Sequence, residues 1–379
     1  MSQPVPTSGT GSHRIAAIDW MRGFVMILMI FDHASMSFDR NHLDDDSALY
    51  ANAMTMALPA GEFFTRWMTH ICAPTFVFLA GTALALSIGR RLARGSSERD
   101  IDRELLTRGA IIAMLDPTLI SLGLGHLSLS VLFAIGVSMM CMTVVRRLPD
   151  AGLLAFGLGW FLVGEWITAL VWSPPGAASI PASLAVATSG GGAFSIKYPV
   201  VPWLAIMSLG WVFGRHMTRF ANGSARRTPA QVMFVAGLAA LAVFAAARGL
   251  NGYGNMFLLR ADDSWQQWLH VSKYPPSLTF ASLELGLMAL GLSAMLSLEP
   301  LIGVRKNGPL LVLGQTAMFY YLVHRFVFDA TAFYGGLLGI GTISTTYIVG
   351  ILMLVALYPL CRWYRGFKAA HPRSFLRYL

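Results

Sequence analysis

Ten long apolar segments, separated by short polar or charged stretches, make up most of the chain. They fall at about 15–38, 63–89, 105–123, 127–145, 151–172, 200–217, 229–247, 277–298, 308–328 and 343–364. Runs of this length match an α-helix crossing a hydrocarbon core roughly 30 Å thick. The pattern predicts an all-α fold, a polytopic transmembrane helical bundle of about ten spans. Pro74 and Pro117 fall inside the second and third segments, and each predicts a local kink or break. No convincing internal repeat is present, so an inverted-repeat transporter has no support from this feature.

Composition agrees with the pattern. Hydrophobic residues are 55% of the 379 positions and charged ones 12%, about half the charged share of a globular protein. No soluble domain hides that much apolar surface. The first 13 residues are polar, lack the apolar core of a signal peptide and read as a disordered tail. A membrane domain is expected over 14–365 and a basic cytoplasmic tail over 366–379. Cys72, Cys141 and Cys361 sit in apolar stretches without metal spacing, so neither a disulfide framework nor a metal site is expected.

The net charge of +9 invites a nucleic-acid reading, but the positions of the charges oppose it. With the N-terminus inside, alternate connections collect 21 of the 28 Lys and Arg residues, and seven fall on the other face. That asymmetry predicts both ends in the cytoplasm. The long outer connections differ in character. Residues 39–60 carry Asp39, Asp44, Asp45 and Asp46, while 248–276 mix Tyr253, Trp265, Trp268, His270, Lys273 and Tyr274. Such loops suit a lid or vestibule, and equally suit interfacial anchoring.

Candidate chemistry lies inside the apolar segments. In the first, Asp19, Arg22, Met26, Met29 and His33 follow helical steps and share one face. Arg22 to His33 spans roughly 16 Å of rise. Ionisable groups in hydrocarbon cost roughly 2.5–3.5 kcal/mol each, so this stripe must face protein or water. Asp32 adjoins His33 but points about 100° away from it. In the second segment Arg66 and His70 share a face at the outer end, level with His33. The ninth carries Gln315 and then Tyr320, Tyr321, His324 and Arg325 at its outer end. The third carries Asp116 beside Pro117, either functional or satisfying backbone freed by the proline, and His126 follows. Imidazoles can take and return a proton near neutrality, and arginine can hold a carboxylate, phosphate or oxyanion. No GxSxG, HExxH or P-loop pattern occurs. The basic stretch 90–108 can attract a phosphorylated donor or simply record topology.

At these residues the chain resembles a known family. RGFVMILMIFDHA, THICAPTFVFLAGT, YPVVPWLAIMSLGWVFGR, KYPPSLTF and LGQTAMFYYLVHRF occur in order. They are similar to blocks of bacterial membrane proteins related to the catalytic domain of heparan-alpha-glucosaminide N-acetyltransferase, within the transmembrane acyltransferase superfamily. The resemblance implies an integral enzyme of the bacterial inner membrane that moves an acyl group to a sugar-like or other hydroxyl or amine acceptor. It implies acetyl-CoA as donor, met by Arg22 with Asp19. His33 or His70, with Asp32 beside them, is then the general base. Arg66, Tyr274, Tyr321, His324 and Asp116 are left for the acceptor or oxyanion. The expected partners are the lipid bilayer, an acyl-CoA donor and a small-molecule or saccharide acceptor, with no nucleic acid; a homodimer is compatible. The rival readings are a proton-coupled transporter and a non-catalytic lipid- or solute-binding membrane protein.

Overall fold

The computed structural model describes residues 15–44, 46–50, 52–190, 194–371 and 374. The tail expected at 1–13, Asp45 and most of 372–379 lie outside the described residues.

The chain folds as an all-α bundle. Its helices are α1 (Ala16–Phe38), α2 (Ala60–Trp67), α3 (Cys72–Ala93), α4 (Glu98–Leu115), α5 (Ser121–Leu124), α6 (Val131–Val145), α7 (Asp150–Ala169) and α8 (Ile180–Ala185). They continue as α9 (Val200–Ala221), α10 (Pro229–Leu250), α11 (Trp265–Leu269), α12 (Leu278–Ile302), α13 (Pro309–Gln315), α14 (Ala317–Tyr334) and α15 (Ile343–Ala370). Every apolar segment read from the sequence coincides with one helix or one broken pair. Seven helical stretches are long and apolar enough to cross a membrane, or eight if α13 and α14, bent by 84°, count as one. The shorter α6 and the less apolar α9 account for the other two segments.

The breaks sit where the prolines stand. Pro74 opens α3 after the turn at 68–71 that separates it from α2. Pro117 lies in a π-helical turn, Asp116–Ile120, between α4 and α5. In that turn Asp116 Oδ2 accepts the backbone N–H groups of Ser130 and Phe133, both at 2.8 Å, and so caps the start of α6.

Burial sorts the helices into layers. Of their most apolar stretches, α1 buries 67% and α2–α3 61%, against 11% for α10 and 17% for α15. The first pair is the core of the bundle. The second presents exposed side chains such as Phe234, Leu238, Leu352 and Val355, as a lipid-facing helix does. Small residues set the closest approaches. A Cβ on Gly81 of α3 would stand 2.0 Å from the Met207 carbonyl oxygen of α9, and one on Gly210 would stand 1.9 Å from that of Phe78. Close backbone approach at glycine is how helices pack tightly without a hydrophobic drive between them.

Charges gather at one end of the bundle. Arg146 pairs with Glu98 and Asp102, and Arg215 and Arg219 with Asp150. Arg365 binds the α12–α13 connection through Lys306 and Asn307. The Glu299 carboxylate accepts the first N–H groups of α1, from Ala16 and Ala17, at 3.0 and 2.9 Å. Both ends of the described chain therefore meet at this basic end.

At the opposite end ordered loops fold over the bundle. Buried Arg248 donates to the carbonyls of Leu258, Gln267 and His270 and to Asn255, which folds 251–270 onto the bundle. Strands β1 (Leu127–Leu129) and β2 (Phe194–Ile196) pair in parallel and carry the chain into Lys197.

The α3–α9 contact makes a direct prediction. Gly81→Ala or Gly210→Ala should lower the thermal unfolding midpoint in detergent, by an overpacking penalty of roughly 1–3 kcal/mol or more. Gly89→Ala, with nothing within 4 Å of its Cβ, should leave the midpoint unchanged or raise it.

Candidate active site

Arg66, near the end of α2, is the hub of the site. Its Nη1 donates to both Asp32 oxygens at 2.8 and 3.0 Å, and its Nε donates to Asp46 Oδ2 at 2.7 Å. Nη2 lies 2.6 Å from Asp46 Oδ2 and 3.5 Å from Asp44, and reaches Tyr274 Oη at 3.4 Å. One planar guanidinium thus joins α1, the 39–50 loop, α2 and the turn before α12. With its donors committed to carboxylates, Arg66 organises the site more than it offers a free cation to a ligand. The backbone follows the same seam: the N–H of Lys273 donates to the Asp46 carbonyl at 2.9 Å, and the Ser47 hydroxyl donates to that of Tyr274.

Asp32 turns to Arg66, as its angular offset from His33 requires. His33 turns instead to α14. Its Nδ1 is 2.8 Å from His324 Nε2, and His324 Nδ1 is 2.6 Å from the Tyr320 carbonyl. A carbonyl only accepts, so Nδ1 of His324 carries a proton and, with both rings neutral, its Nε2 accepts from His33 Nδ1. The chain of bonds leaves the lone pair of His33 on Nε2, which has no hydrogen-bond partner among the described residues. Tyr321 stands edge-on to both imidazoles, its ring centroid 5.7 Å from that of His33 and 5.9 Å from that of His324.

A continuous cavity of about 950 Å³ runs through the bundle. Asp19, Arg22, Met26, Met29 and His33 all line it, so the stripe read on the first helix is one wall. At the basic end its mouth holds Arg90, Arg91, Arg108 and Lys368. At the other end it reaches Asp32, Arg66, Lys197, Tyr198, Lys273 and Tyr274. Tyr321 and Arg325 also face it, the latter paired with Asp329 at 2.7 Å.

Three of the residues singled out from the sequence stand elsewhere. His70 lies behind the wall, its Nε2 3.2 Å from Asp46 Oδ2 but out of line for a hydrogen bond, and its ring against Phe280. His324 backs His33. Asp116 lies outside the cavity at the cap of α6. Asp19 accepts from Arg22 at 3.5 Å and from Gln315 at 3.4 Å, and Arg22 donates to the Leu79 carbonyl at 2.9 Å. Among the described residues no cluster of His, Cys, Asp and Glu suits a metal ion.

Sequence reading gave no individual site role to Asp44, Asp46, Lys197, Tyr198 or Lys273, though it placed several of them in candidate lid loops. One signal was present: the tripeptide Lys-Tyr-Pro occurs twice, at 197–199 and 273–275, each time just before a long helix. The two turns meet, with the Tyr198 and Tyr274 hydroxyls 3.4 Å apart and their rings edge to face. Outside the spans, burial opposes ionisation of Asp44 and Asp46, but Lys197 and Arg66 hold Asp44 below the usual carboxylate range, and Arg66 with His70 holds Asp46 well below it. Burial also raises the Tyr274 phenol, yet Lys273, Arg66 and Lys197 outweigh it and lower the net value. Burial, then Arg66, pushes His42 below its ordinary value against the pull of nearby aspartates.

Fold and site together define a polytopic helical membrane protein with a polar cavity joining a basic end to a buried histidine pair. The chain belongs to the heparan-alpha-glucosaminide N-acetyltransferase catalytic family, whose model matches residues 14–247. It is therefore a membrane acetyltransferase-like protein. No curated protein matches it in sequence. The matched stretch holds Asp32, His33, Arg66 and His70, while Lys273, Tyr274, Tyr321 and His324 lie beyond it and join the site through the fold.

Two outcomes follow from this electrostatic arrangement. Arg66→Met strands Asp32 and Asp46 without their cation and should destabilise the protein by roughly 3–5 kcal/mol. Adding Asp32→Asn and Asp46→Asn should recover part of the loss in denaturation experiments. Acid should act in two stages. A depressed His42 contributes stability above pH 6.5 that is lost as pH falls. The depressed Asp44 and Asp46 contribute stability above pH 3.8 that is lost below it. A melting series over pH should show both, and His42→Asn should flatten the upper one.

Proposed function

We propose that the protein is an integral membrane acetyltransferase that carries an acetyl group from acetyl-CoA to a hydroxyl or amine acceptor at the opposite membrane face. The observation that supports this best is the cavity connecting the Arg90, Arg91, Arg108 and Lys368 mouth to His33. The excess of basic residues at that mouth favours its placement in the cytoplasm, at the inner membrane of a bacterium. Coenzyme A phosphates entering there meet arginines, which suit them in charge and geometry. Arg22, with Asp19 beside it, stands farther along the wall, where the pantetheine arm would pass.

At the far end, His33 Nε2 removes a proton from the acceptor as its nitrogen or oxygen attacks the thioester carbon. The negative charge that develops on the carbonyl oxygen falls to the hydroxyls of Tyr321 and Tyr274, the latter made a stronger donor by its cations. Collapse breaks the C–S bond. His33 returns its proton to the departing thiolate, so acetylated acceptor and free coenzyme A leave with the base restored. His324 keeps the proton of His33 on Nδ1 and steadies the imidazolium, without touching either substrate. Position on the cavity wall favours His33 over His70 as the base.

His33→Ala should cut acetyl-CoA consumption by roughly 10²–10⁴-fold, measured on purified protein in proteoliposomes with a panel of sugars and amino sugars. Acetyl-CoA binding should persist. His324→Phe should lower kcat with KM nearly unchanged, and His70→Ala should retain turnover if it folds. Parent-level turnover by folded His33→Ala would sink the assignment, and counterflow of a solute without acetyl consumption would replace it with transport.

A further inference from the structure

Four carboxylates lie in or directly behind the wall of the cavity's far end, and each has a direct cationic partner. Asp32 and Asp46 share Arg66, Asp44 pairs with Lys197, and Asp329 pairs with Arg325. Lys273 is the exception. It is 3% exposed, lines the cavity, and has no hydrogen-bond or ion-pair partner for its ammonium among the described residues. Glu284, the remaining acid nearby, is itself buried in α12, with Oε1 unpartnered and no ion pair to Lys273. A buried ammonium has three donors and no acceptor, and leaving them unmet is unfavourable. The fold nevertheless fixes this residue firmly, through its own backbone N–H on Asp46 and the helix that starts five residues later.

The repeated Lys-Tyr-Pro turns extend the pattern. Lys273 Nζ and Lys197 Nζ lie 5.3 and 5.5 Å from the centre of the same Tyr274 ring. Lys197 spends a contact on Asp44, and both lysines line the cavity. Two ammonium groups thus flank the tyrosine placed beside the reacting centre, and that of Lys273 meets the ring face alone, with no acceptor for its N–H groups among the described residues.

We propose that Lys273, supported by Lys197, forms an anion subsite that takes a carboxylate or phosphate group of the acceptor. This rests on the acetyltransferase reading and adds a substrate class to it: an acidic acceptor, held by its anionic group while a hydroxyl or amine elsewhere on it meets His33. Coenzyme A phosphates enter by the opposite mouth, so the two anion-binding regions serve different substrates.

The test is equilibrium binding to the intact, detergent-purified protein by titration calorimetry, without donor. Glucuronate and glucose 6-phosphate are compared with glucose, and inorganic phosphate serves as the free anion. At least one acidic sugar should bind roughly tenfold or more tightly than glucose, the scale of one charged hydrogen bond. Lys273→Gln should erase that preference, and Lys273→Arg should keep most of it. Both variants should bind acetyl-CoA like the parent. Lys273-dependent binding of inorganic phosphate alone would also support the subsite and identify its ligand as a free anion rather than an acidic sugar. Equal affinity for glucose and all the anions, or an undiminished preference in Lys273→Gln, would overturn the proposal. So would loss of acetyl-CoA binding in both lysine variants, because the residue would then be holding the fold. Failure of the parent to bind acetyl-CoA would count against the donor reading alone.

Discussion

The buried ion cluster around Arg66 is the constraint on which the rest of the site depends. Two carboxylates, one on α1 and one in the loop that follows it, converge on one guanidinium, and neither is tolerable in an apolar interior without it. Their convergence sets the position of α1 against α2 and brings the 39–50 loop down over the cavity. It also draws in Tyr274 and, through the Asp46 carbonyl, the backbone of Lys273. A point-charge lysine at position 66 could not satisfy these directions at once, since the bonds to Asp32 and Asp46 leave different edges of a planar fork.

The same cluster separates two kinds of polar group. Arg66, Asp32 and Asp46 satisfy one another and leave little for a ligand. The His33–His324 pair and the two Lys-Tyr-Pro turns retain capacity facing the cavity: a lone pair on one side, ammonium and phenol donors on the other. Proton transfer and charge stabilisation need that polarity, a base opposite donors, within a chamber shielded from bulk water. The saturated network holds the unsaturated groups in place. Rigid backing of this kind matters more than the number of polar residues in the chamber.

Much of the architecture was legible in the sequence because a bilayer imposes a length and a polarity that composition records directly. All ten apolar segments became helices or broken pairs, and the five-residue stripe of α1 became one wall of the cavity. The partners of the polar residues were far less legible. His33 and His324 are 291 positions apart, and no local period connects them. Asp116 looked like chemistry because it is an acid in an apolar run, yet its oxygen is spent on the start of α6. The angular offset that directs Asp32 away from His33 was readable, while its destination, Arg66, was set by tertiary packing. Lys273 stood in a charged, aromatic loop where anchoring and function look alike. What the sequence does not show is its burial without a hydrogen-bond or ion-pair partner among the described residues.

A polar stripe on α1 would be costly against lipid, and one wall alone cannot shelter it. The glycine contacts supply the enclosure. Where α3 meets α9 at Gly81 and Gly210, and α1 meets α13 at Gly23 and Gly314, backbones press together without intervening side chains. The free volume lies along α1, toward α3, α4, α6 and α14, with Gly314 of the α1–α13 contact itself on the wall. The cavity is therefore lined by tight backbone contacts as well as by ionisable groups. This arrangement explains how one helix can carry Asp19, Arg22, Asp32 and His33 through the bundle. Each is met by a protein partner or by the cavity, and the hydrocarbon is left to α10 and α15, whose exposed faces are apolar.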